Sequence, residues 1–133
     1  MAQGVRGRIV HNGQPTELEV LVAAGFRDRL RGLLARPALR PTEGLWIVPC
    51  DRIHTWFMGF SIDVVMLDRA GRVLAAQGSI PPWRLGPAGA GGGVALELAS
   101  GTIARLGIQC GDLLTLEDCL RYAEPTKPTG VAP

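Results

Sequence analysis

The sequence predicts a mostly β fold of the α+β type, with a compact, barrel-like antiparallel sheet, one main helix and one short helical turn. The 18 Gly and 10 Pro residues divide the chain into short apolar segments, which is typical of strands joined by turns. Most of these segments are apolar runs of strand length rather than helix length. Residues 26–34 are the exception, because their apolar positions follow the period of a helix.

A hairpin is predicted at the start of the chain. The segments 6–11 and 17–23 flank Asn12 and Gly13, a pair suited to the positive φ angles of a two-residue turn. Pro15 cannot donate a ladder hydrogen bond, which suggests an edge position for the second strand.

The main helix is predicted over residues 26–34, where apolar side chains recur at i, i+4, i+7 and i+8 and would form one helical face. Pro37 ends it, since proline disfavours helical angles in the residue before it. A short helical turn is expected at residues 102–106, closed by Gly107.

A meander of four strands is expected at residues 45–48, 53–58, 62–67 and 73–80. Two further strands are expected at residues 94–99 and 113–117. The Gly-rich stretch 86–93 is expected to be a flexible loop. The chain is then one β-rich domain over residues 1–122, and residues 123–133 form a disordered tail.

Composition restricts the classes of function. A net charge of +2, with basic residues scattered along the chain, argues against nucleic acid as a partner. The sequence shows neither an apolar leader nor a membrane-length apolar run, so we expect a cytoplasmic protein without a membrane partner. Three widely spaced cysteines without a CxxC pair favour reduced thiols.

The segment from Cys50 to Met58 concentrates the chemistry of the chain. If it is extended, His54, Trp56 and Met58 share one face, because side chains alternate along a strand. Thr55 lies on the other face, which is also largely apolar. The strand then lines a pocket or is covered on both sides, and His54 is either a ligand-binding group or a core histidine bonded to backbone.

Two acidic residues interrupt apolar strands. Asp63 shares a face with Val65 and Leu67, where an unpaired carboxylate would be costly to bury. It either orients His54 or binds a polar ligand group, or it accepts backbone N–H groups near residues 59–61. Glu97 projects opposite its two leucine neighbours, either towards a ligand or on a solvated outer face.

A metal site is not predicted, because Cys50 and His54 on one strand stand roughly 13 Å apart, and no cofactor is expected. Trp83 and Arg84 follow two prolines and could present an indole and a guanidinium to an anionic ligand. The alternative is that Trp83 closes the mouth of the barrel.

Ordered blocks of residues carry a resemblance to a known family. They are Arg31-Gly32-Leu33-Leu34, Glu43-Gly44-Leu45, Pro49-Cys50, Ile53-His54-Thr55 with Met58, Ile62-Asp63-Val64-Val65, Leu67-Asp68, Pro82-Trp83-Arg84, Leu96-Glu97-Leu98 and Gly111-Asp112. Over residues 20–117 the chain resembles the bacterial and archaeal family filed as domain of unknown function 192, in its branch with a Cys, Ile-His-Thr and Met pattern. The resemblance implies a compact, mostly β, barrel-like fold with one or two short helices, and it supplies no activity or cofactor.

Three functions remain open at this point. The first is a small-molecule or peptide binding module, in which the candidate site residues are Cys50, His54, Thr55, Trp56, Met58, Asp63, Trp83, Arg84 and Glu97. The second is a hydrolase-like enzyme in which His54 is the general base and Asp63 orients it. The third is an accessory protein that holds a partner chain on an exposed sheet edge or apolar patch.

Overall fold

The computed structural model describes residues 3–23, 39–55 and 59–123, and nine strands and one short helix lie within them. The strands are β1 (Gln3–His11), β2 (Gln14–Ala23), β3 (Glu43–Ile47), β4 (Arg52–His54), β5 (Ile62–Leu67), β6 (Val73–Ile80), β7 (Leu85–Ala88), β8 (Val94–Ala99) and β9 (Leu114–Ala123). The helix, α1, is Thr102–Leu106.

Seven of these strands form one curled half-barrel sheet in the order β6-β5-β8-β3-β2-β1-β9. The prediction of a mostly β fold is therefore confirmed. Neighbouring strands are antiparallel except β2 and β3, which run parallel from Glu19 beside Glu43 to Ala23 beside Ile47. Parallel neighbours need a long crossover connection, and residues 24–42 provide it, so the predicted antiparallel arrangement is wrong at this one pair.

Local sequence signals placed many elements correctly. The strands β5, β6 and β8 and the helix α1 begin and end at the predicted residues. The first hairpin turns at Asn12 and Gly13, whose φ angles are 49° and 83°, as a two-residue turn requires. The main helix predicted over residues 26–34 lies outside the described residues, as does residue 124 onwards of the predicted tail.

The predicted meander holds only for β5 and β6, which pair antiparallel, and the predicted Gly-rich loop is wrong at residues 86–88. β3 pairs with β8 rather than with β4, and β4 leaves the large sheet to pair with β7 in a two-stranded sheet. Residues 85–88 form β7 because β4 supplies their hydrogen-bond partners, although residues 86–88 were expected to belong to a flexible loop. We call this two-stranded sheet, residues 52–54 and 85–88, the ribbon.

The large sheet carries an apolar core on each face. One core, which we call the helix-side core, packs against Ile103 and Leu106 of α1. It consists of Ile9, Leu18, Val20, Val65, Leu67, Val73, Val94, Leu96, Leu98, Ile108 and Leu114. The ribbon-side core consists of Ala23, Leu45, Ile47, Ile53, Ile62, Val64, Met66, Ile80 and Ala95. Because β5 and β8 are covered on both faces, all six residues of each are buried.

Candidate functional site

The ribbon has an inner and an outer face. Ile53 of β4 is only 2% exposed and belongs to the ribbon-side core, and Gly86 of β7 approaches it so closely that a Cβ there would lie 3.3 Å from a methyl group of Ile53. His54 pairs with Leu85 across the ribbon, and cross-strand partners share a face. His54 is half-buried and Leu85 is exposed, so this pair belongs to the outer face.

Thr55 anchors the turn that leads into β7. Its buried hydroxyl donates to the carbonyl oxygen of Pro81 at 2.6 Å and accepts the N–H of Arg84 at 2.8 Å. Its backbone N–H donates to the Arg84 carbonyl oxygen, and its carbonyl oxygen accepts the Trp83 N–H. Thr55 therefore fixes the 81–84 turn by main-chain and side-chain bonds, rather than facing a ligand through its hydroxyl.

Trp83, at the tip of this turn, combines exposure with an uncommon backbone conformation. Its side chain is 57% exposed, and its φ is +64°, which is a sterically costly angle for a bulky residue. Such strain persists only where the surroundings hold it, and the bonds from Thr55 do so. The fold thus holds an indole at the surface in one orientation of the backbone.

We expect Trp83→Gly to be more stable than Trp83→Ala by about 1 kcal/mol, because both variants lose the indole but only glycine adopts a positive φ without strain. Urea unfolding of the two variants measures the difference. If Trp83→Ala is equally or more stable, the left-handed conformation carries no cost and the strain argument fails.

Basic and sulfur-bearing groups surround the ribbon. Arg52 and Arg84 are both exposed, and the Arg84 side chain donates to the Trp83 carbonyl oxygen at 3.4 Å. Cys50 is half-buried, and its Sγ lies 3.2 Å from the carbonyl oxygen of Arg52, to which it donates. Cys50, His54, Thr55, Trp83 and Arg84 thus lie near one another at the ribbon and its adjoining turn, and their role in ligand binding stays a prediction.

Asp63 lies on the opposite face of the sheet. Its carboxylate is fully buried and accepts backbone N–H groups from Ser79 at 2.7 Å, Gly101 at 3.1 Å and Ile103 at 2.8 Å. The alternative in which Asp63 accepts backbone N–H groups is therefore correct. The donors lie in β6 and at the start of α1, however, and not in residues 59–61. Asp63 shares its face with residues of the helix-side core, whereas β4 packs on the ribbon side, so the predicted pairing of Asp63 with His54 is wrong.

Glu97 is fully buried, so the expected alternative of a solvated outer face is wrong. The side chains of its neighbours Leu96 and Leu98 lie in the helix-side core, which leaves Glu97 on the ribbon side between its cross-strand partners Leu45 and Val64. That face is covered by the ribbon-side core. Trp56 and Met58, the other two predicted site residues, lie outside the described residues.

A polar cleft of about 540 Å³ lies away from the ribbon. Its lining is Arg6, Glu17, Glu19, Arg40, Thr42 and Glu43. Charges of both signs neutralise one another around it, because Arg6 contacts Glu19 at 3.3 Å and Arg105 contacts Glu17 at 2.7 Å. We assign no ligand to this cleft.

The structure also shows an acid–base pair that the sequence analysis missed. His11 Nε2 lies 2.7 Å from Asp112 Oδ2, and both side chains are half-buried. The hydrogen bond from His11, the N–H of Gln109 and the Asn12 side chain lower the pKa of Asp112 from 3.8 to about 2, because each favours the charged carboxylate. The pair joins residues 101 positions apart, so no local pattern could have revealed it.

The lowered pKa of Asp112 predicts a pH dependence of stability. A carboxyl whose pKa is lower in the folded state stabilises the fold above its unfolded pKa near 4, and this contribution is lost as the pH falls through about 2. Asp112→Asn should therefore be less stable than the wild type at pH 7, and the difference should vanish between pH 4 and pH 2. Melting temperatures of both proteins across this range test it, and a constant difference would contradict it.

Residues 3–23, 39–55 and 59–123 contain no group of three or more His, Cys, Asp or Glu side chains placed to hold a metal ion. The same ranges contain no helix with the length and apolar character needed to cross a bilayer.

Comparison with known proteins identifies the family of this chain and two crystal structures with a similar fold. The model of the DUF192 family, described as an uncharacterized ACR, matches residues 8–116, and no curated protein matches the chain. A crystal structure from Sinorhizobium meliloti 1021, described as a candidate transcription regulator, has a TM-score of 0.66 at 20% identity over 86% of this chain and 94% of that one. A protein of unknown function from Novosphingobium aromaticivorans DSM 12444 has a TM-score of 0.66 at 22% identity over 84% and 83% of the two chains. At these identities the likeness shows the fold alone.

Proposed function

Since this chain belongs to the DUF192 family, whose description gives no activity, we propose its function from its own surface: it is a binding module that holds a small molecule or a peptide on the ribbon beside His54. The resemblance noted in the sequence is confirmed by the family match over residues 8–116. The chemistry of binding must then come from the residues themselves.

The main support for the proposal is the exposed side chain of Trp83. The backbone of this residue has an unfavourable positive φ, and hydrogen bonds from Thr55 hold it in that conformation. Trp83 and Leu85 are each 57% exposed, on either side of Arg84. Exposing two large apolar side chains costs solubility and contributes little to folding, whereas tryptophan is enriched among the residues that dominate binding energy. The hydrogen bonds of Thr55 supply the rigidity that lowers the entropic cost of binding.

A hydrolase and a DNA-binding regulator both have less support than a binding module. The hydrolase requires His54 and Asp63 within hydrogen-bond reach, but both Asp63 oxygens accept backbone N–H groups on the far face of the sheet. The regulator description of the Sinorhizobium protein belongs to a chain 20% identical to this one, and a net charge of +2 offers no electrostatic footprint for DNA.

A thermal-shift screen of metabolites and short peptides tests the proposal, with the wild type, Trp83→Ala and Leu74→Ala compared. Leu74 is the matched control, since it is 43% exposed and lies on β6, outside the ribbon. We expect at least one ligand to raise the melting temperature saturably. Its affinity should fall at least about tenfold in Trp83→Ala and stay unchanged in Leu74→Ala. A screen without any ligand sensitive to Trp83 would refute the proposal.

A further inference from the structure

Asn12 and Gly13 form a chemically reactive pair at the tip of the first hairpin. The side-chain amide of an asparagine that precedes glycine is prone to attack by the next backbone nitrogen, because glycine has no side chain that shields this nitrogen. Both residues are exposed, and the space into which a Cβ of Gly13 would point is open. Asn12 is the only asparagine of the chain, and the sequence has no Asp-Gly pair. This turn is therefore the one Asn-Gly or Asp-Gly pair at which the reaction can occur.

The backbone of the folded turn prevents this reaction. Ring closure between Asn12 Cγ and the Gly13 nitrogen requires Asn12 Cβ and that nitrogen to eclipse one another about the Cα–C bond. Asn12 has a φ of 49°. In this left-handed region ψ is about +45°, so the two atoms lie on nearly opposite sides of the Cα–C bond. The turn must therefore leave its native conformation before the reaction can start.

Leu113 holds Asn12 in the native conformation. The Leu113 N–H donates to Asn12 Oδ1 at 2.8 Å, and the Leu113 carbonyl oxygen accepts the Asn12 N–H, also at 2.8 Å. These two bonds fix both the side chain and the main chain of Asn12. An opening of the turn has to break them, and the frequency of such a local opening depends on the contacts that it breaks.

Asp112 fixes the segment that carries Leu113. Its Oδ2 lies 2.7 Å from His11 Nε2 and accepts the Gln109 N–H at 2.9 Å. The Asn12 side chain also favours the charged form of this carboxylate. These bonds join the end of β1 to the segment that precedes β9. We call residues 11–13 and 109–113 the hairpin-tip contact.

We propose that Asn12 is a modification site, at which asparagine is converted to aspartate and isoaspartate at a rate that the hairpin-tip contact controls. In the opened turn, the Gly13 nitrogen forms a bond to Asn12 Cγ, and the side-chain nitrogen leaves as ammonia with the proton of the Gly13 N–H. Water then adds to one of the two carbonyl carbons of the resulting succinimide ring and breaks its bond to the ring nitrogen. One cleavage gives aspartate and the other gives isoaspartate. This inference goes beyond the proposed binding function and does not rest on it.

Both products weaken the hairpin-tip contact. Each replaces the neutral amide of Asn12 with a carboxylate near Asp112, and two carboxylates in proximity disfavour each other's charged form. Isoaspartate also lengthens the main chain by one carbon atom, which does not fit the geometry of a two-residue turn. The loss of ammonia therefore loosens the attachment of β1 to the start of β9.

Mass spectrometry of the wild type, incubated at one mildly alkaline pH with and without urea, tests this inference. The peptide that contains Asn12 gains mass when its –NH₂ group becomes –OH, and an isoaspartyl-specific methyltransferase detects isoaspartate. The reaction should be at least about tenfold slower in the folded protein than in urea, because only the opened turn reacts. Equal rates with and without urea, or no reaction in urea, would overturn the inference.

Asp112→Ala should speed the reaction of the folded protein about tenfold, since it removes a charged partner of the hairpin-tip contact, and should leave the rate in urea unchanged. Glu17→Gln is the matched control, because it weakens a charged hydrogen bond outside that contact, to Arg105 at 2.7 Å. Its rate should equal that of the wild type. If circular dichroism shows that Asp112→Ala is unfolded, His11→Ala replaces it, with a smaller increase in rate expected. A folded variant that reacts no faster than the wild type would contradict control by the contact.

Asn12→Asp carries the carboxylate of one product from the start. Its melting temperature at pH 7 should be lower than that of the wild type, because the added charge lies near Asp112. An equal or higher melting temperature would contradict the weakening of the hairpin-tip contact by the modification.

Discussion

Asp63→Ala is expected to lower the free energy of unfolding by about 3–5 kcal/mol, the largest loss from any single substitution considered for this protein. The carboxylate is fully buried and accepts the N–H groups of Ser79, Gly101 and Ile103. Through them it joins β5 to the end of β6 and to the first turn of α1. Alanine leaves these donors without their charged acceptor and creates a cavity beside them.

Urea unfolding of Asp63→Ala measures this loss, and Ser100→Ala is the control at the same corner. Ser100 shares a 2.6 Å hydroxyl contact with Ser79 at the surface, so its loss should cost less than about 1 kcal/mol. Asp63→Asn should fall between the two, because one amide oxygen can still accept. A loss below about 1 kcal/mol in Asp63→Ala would show that the buried carboxylate is not what joins these elements.

Thr55→Val is expected to cost about 2–4 kcal/mol, because two partners lose the same buried hydroxyl. Valine has nearly the shape of threonine, so the change removes hydrogen bonds rather than volume. The Pro81 carbonyl oxygen and the Arg84 N–H, at 2.6 and 2.8 Å from Oγ1, are left without that partner. The 81–84 turn should loosen, and any ligand that depends on Trp83 should bind more weakly even under conditions where the variant is folded.

Thr102→Val provides the comparison for this effect. Thr102 is also buried, but its hydroxyl donates one hydrogen bond, to the Ala99 carbonyl oxygen at 2.7 Å. Its replacement should cost about 1–2 kcal/mol and leave ligand binding unchanged, since α1 lies on the other face of the sheet. Equal losses of stability and equal effects on binding in the two variants would contradict the conclusion that Thr55 fixes the turn that presents Trp83.

Local sequence patterns predict the strands and the helix whose own residues favour that structure. The strands β5, β6 and β8 are recognised from their apolar content and flanking turns, and α1 from its spacing and the glycine that closes it. β7 could not be recognised, because Leu85-Gly86-Pro87-Ala88 has little intrinsic preference for a strand and gains its hydrogen bonds from β4. The order of the strands in the sheet could not be predicted for the same reason, since it depends on pairings between distant segments.

The sequence indicated which residues could belong to the candidate site, but not how the fold arranges them. Alternation correctly placed Asp63 on the face of Val65 and Leu67 and placed Glu97 opposite its leucine neighbours. It could not show which layer covers each face, so the acid–base pair with His54 and the solvated Glu97 were both wrong. The grouping of His54 with Trp83 depends on the pairing of β4 with β7, which only the structure reveals.

The central claim, that Trp83 on the ribbon contacts the ligand, is tested most directly by an NMR titration of the indole N–H signals. The chain has three tryptophans, and Trp83→Phe identifies the Trp83 signal by its disappearance. We predict that a ligand found in the thermal-shift screen shifts this signal saturably, together with the backbone signals of residues 52–54 and 84–88. A saturable ligand that leaves the Trp83 signal unmoved and shifts signals elsewhere would contradict it.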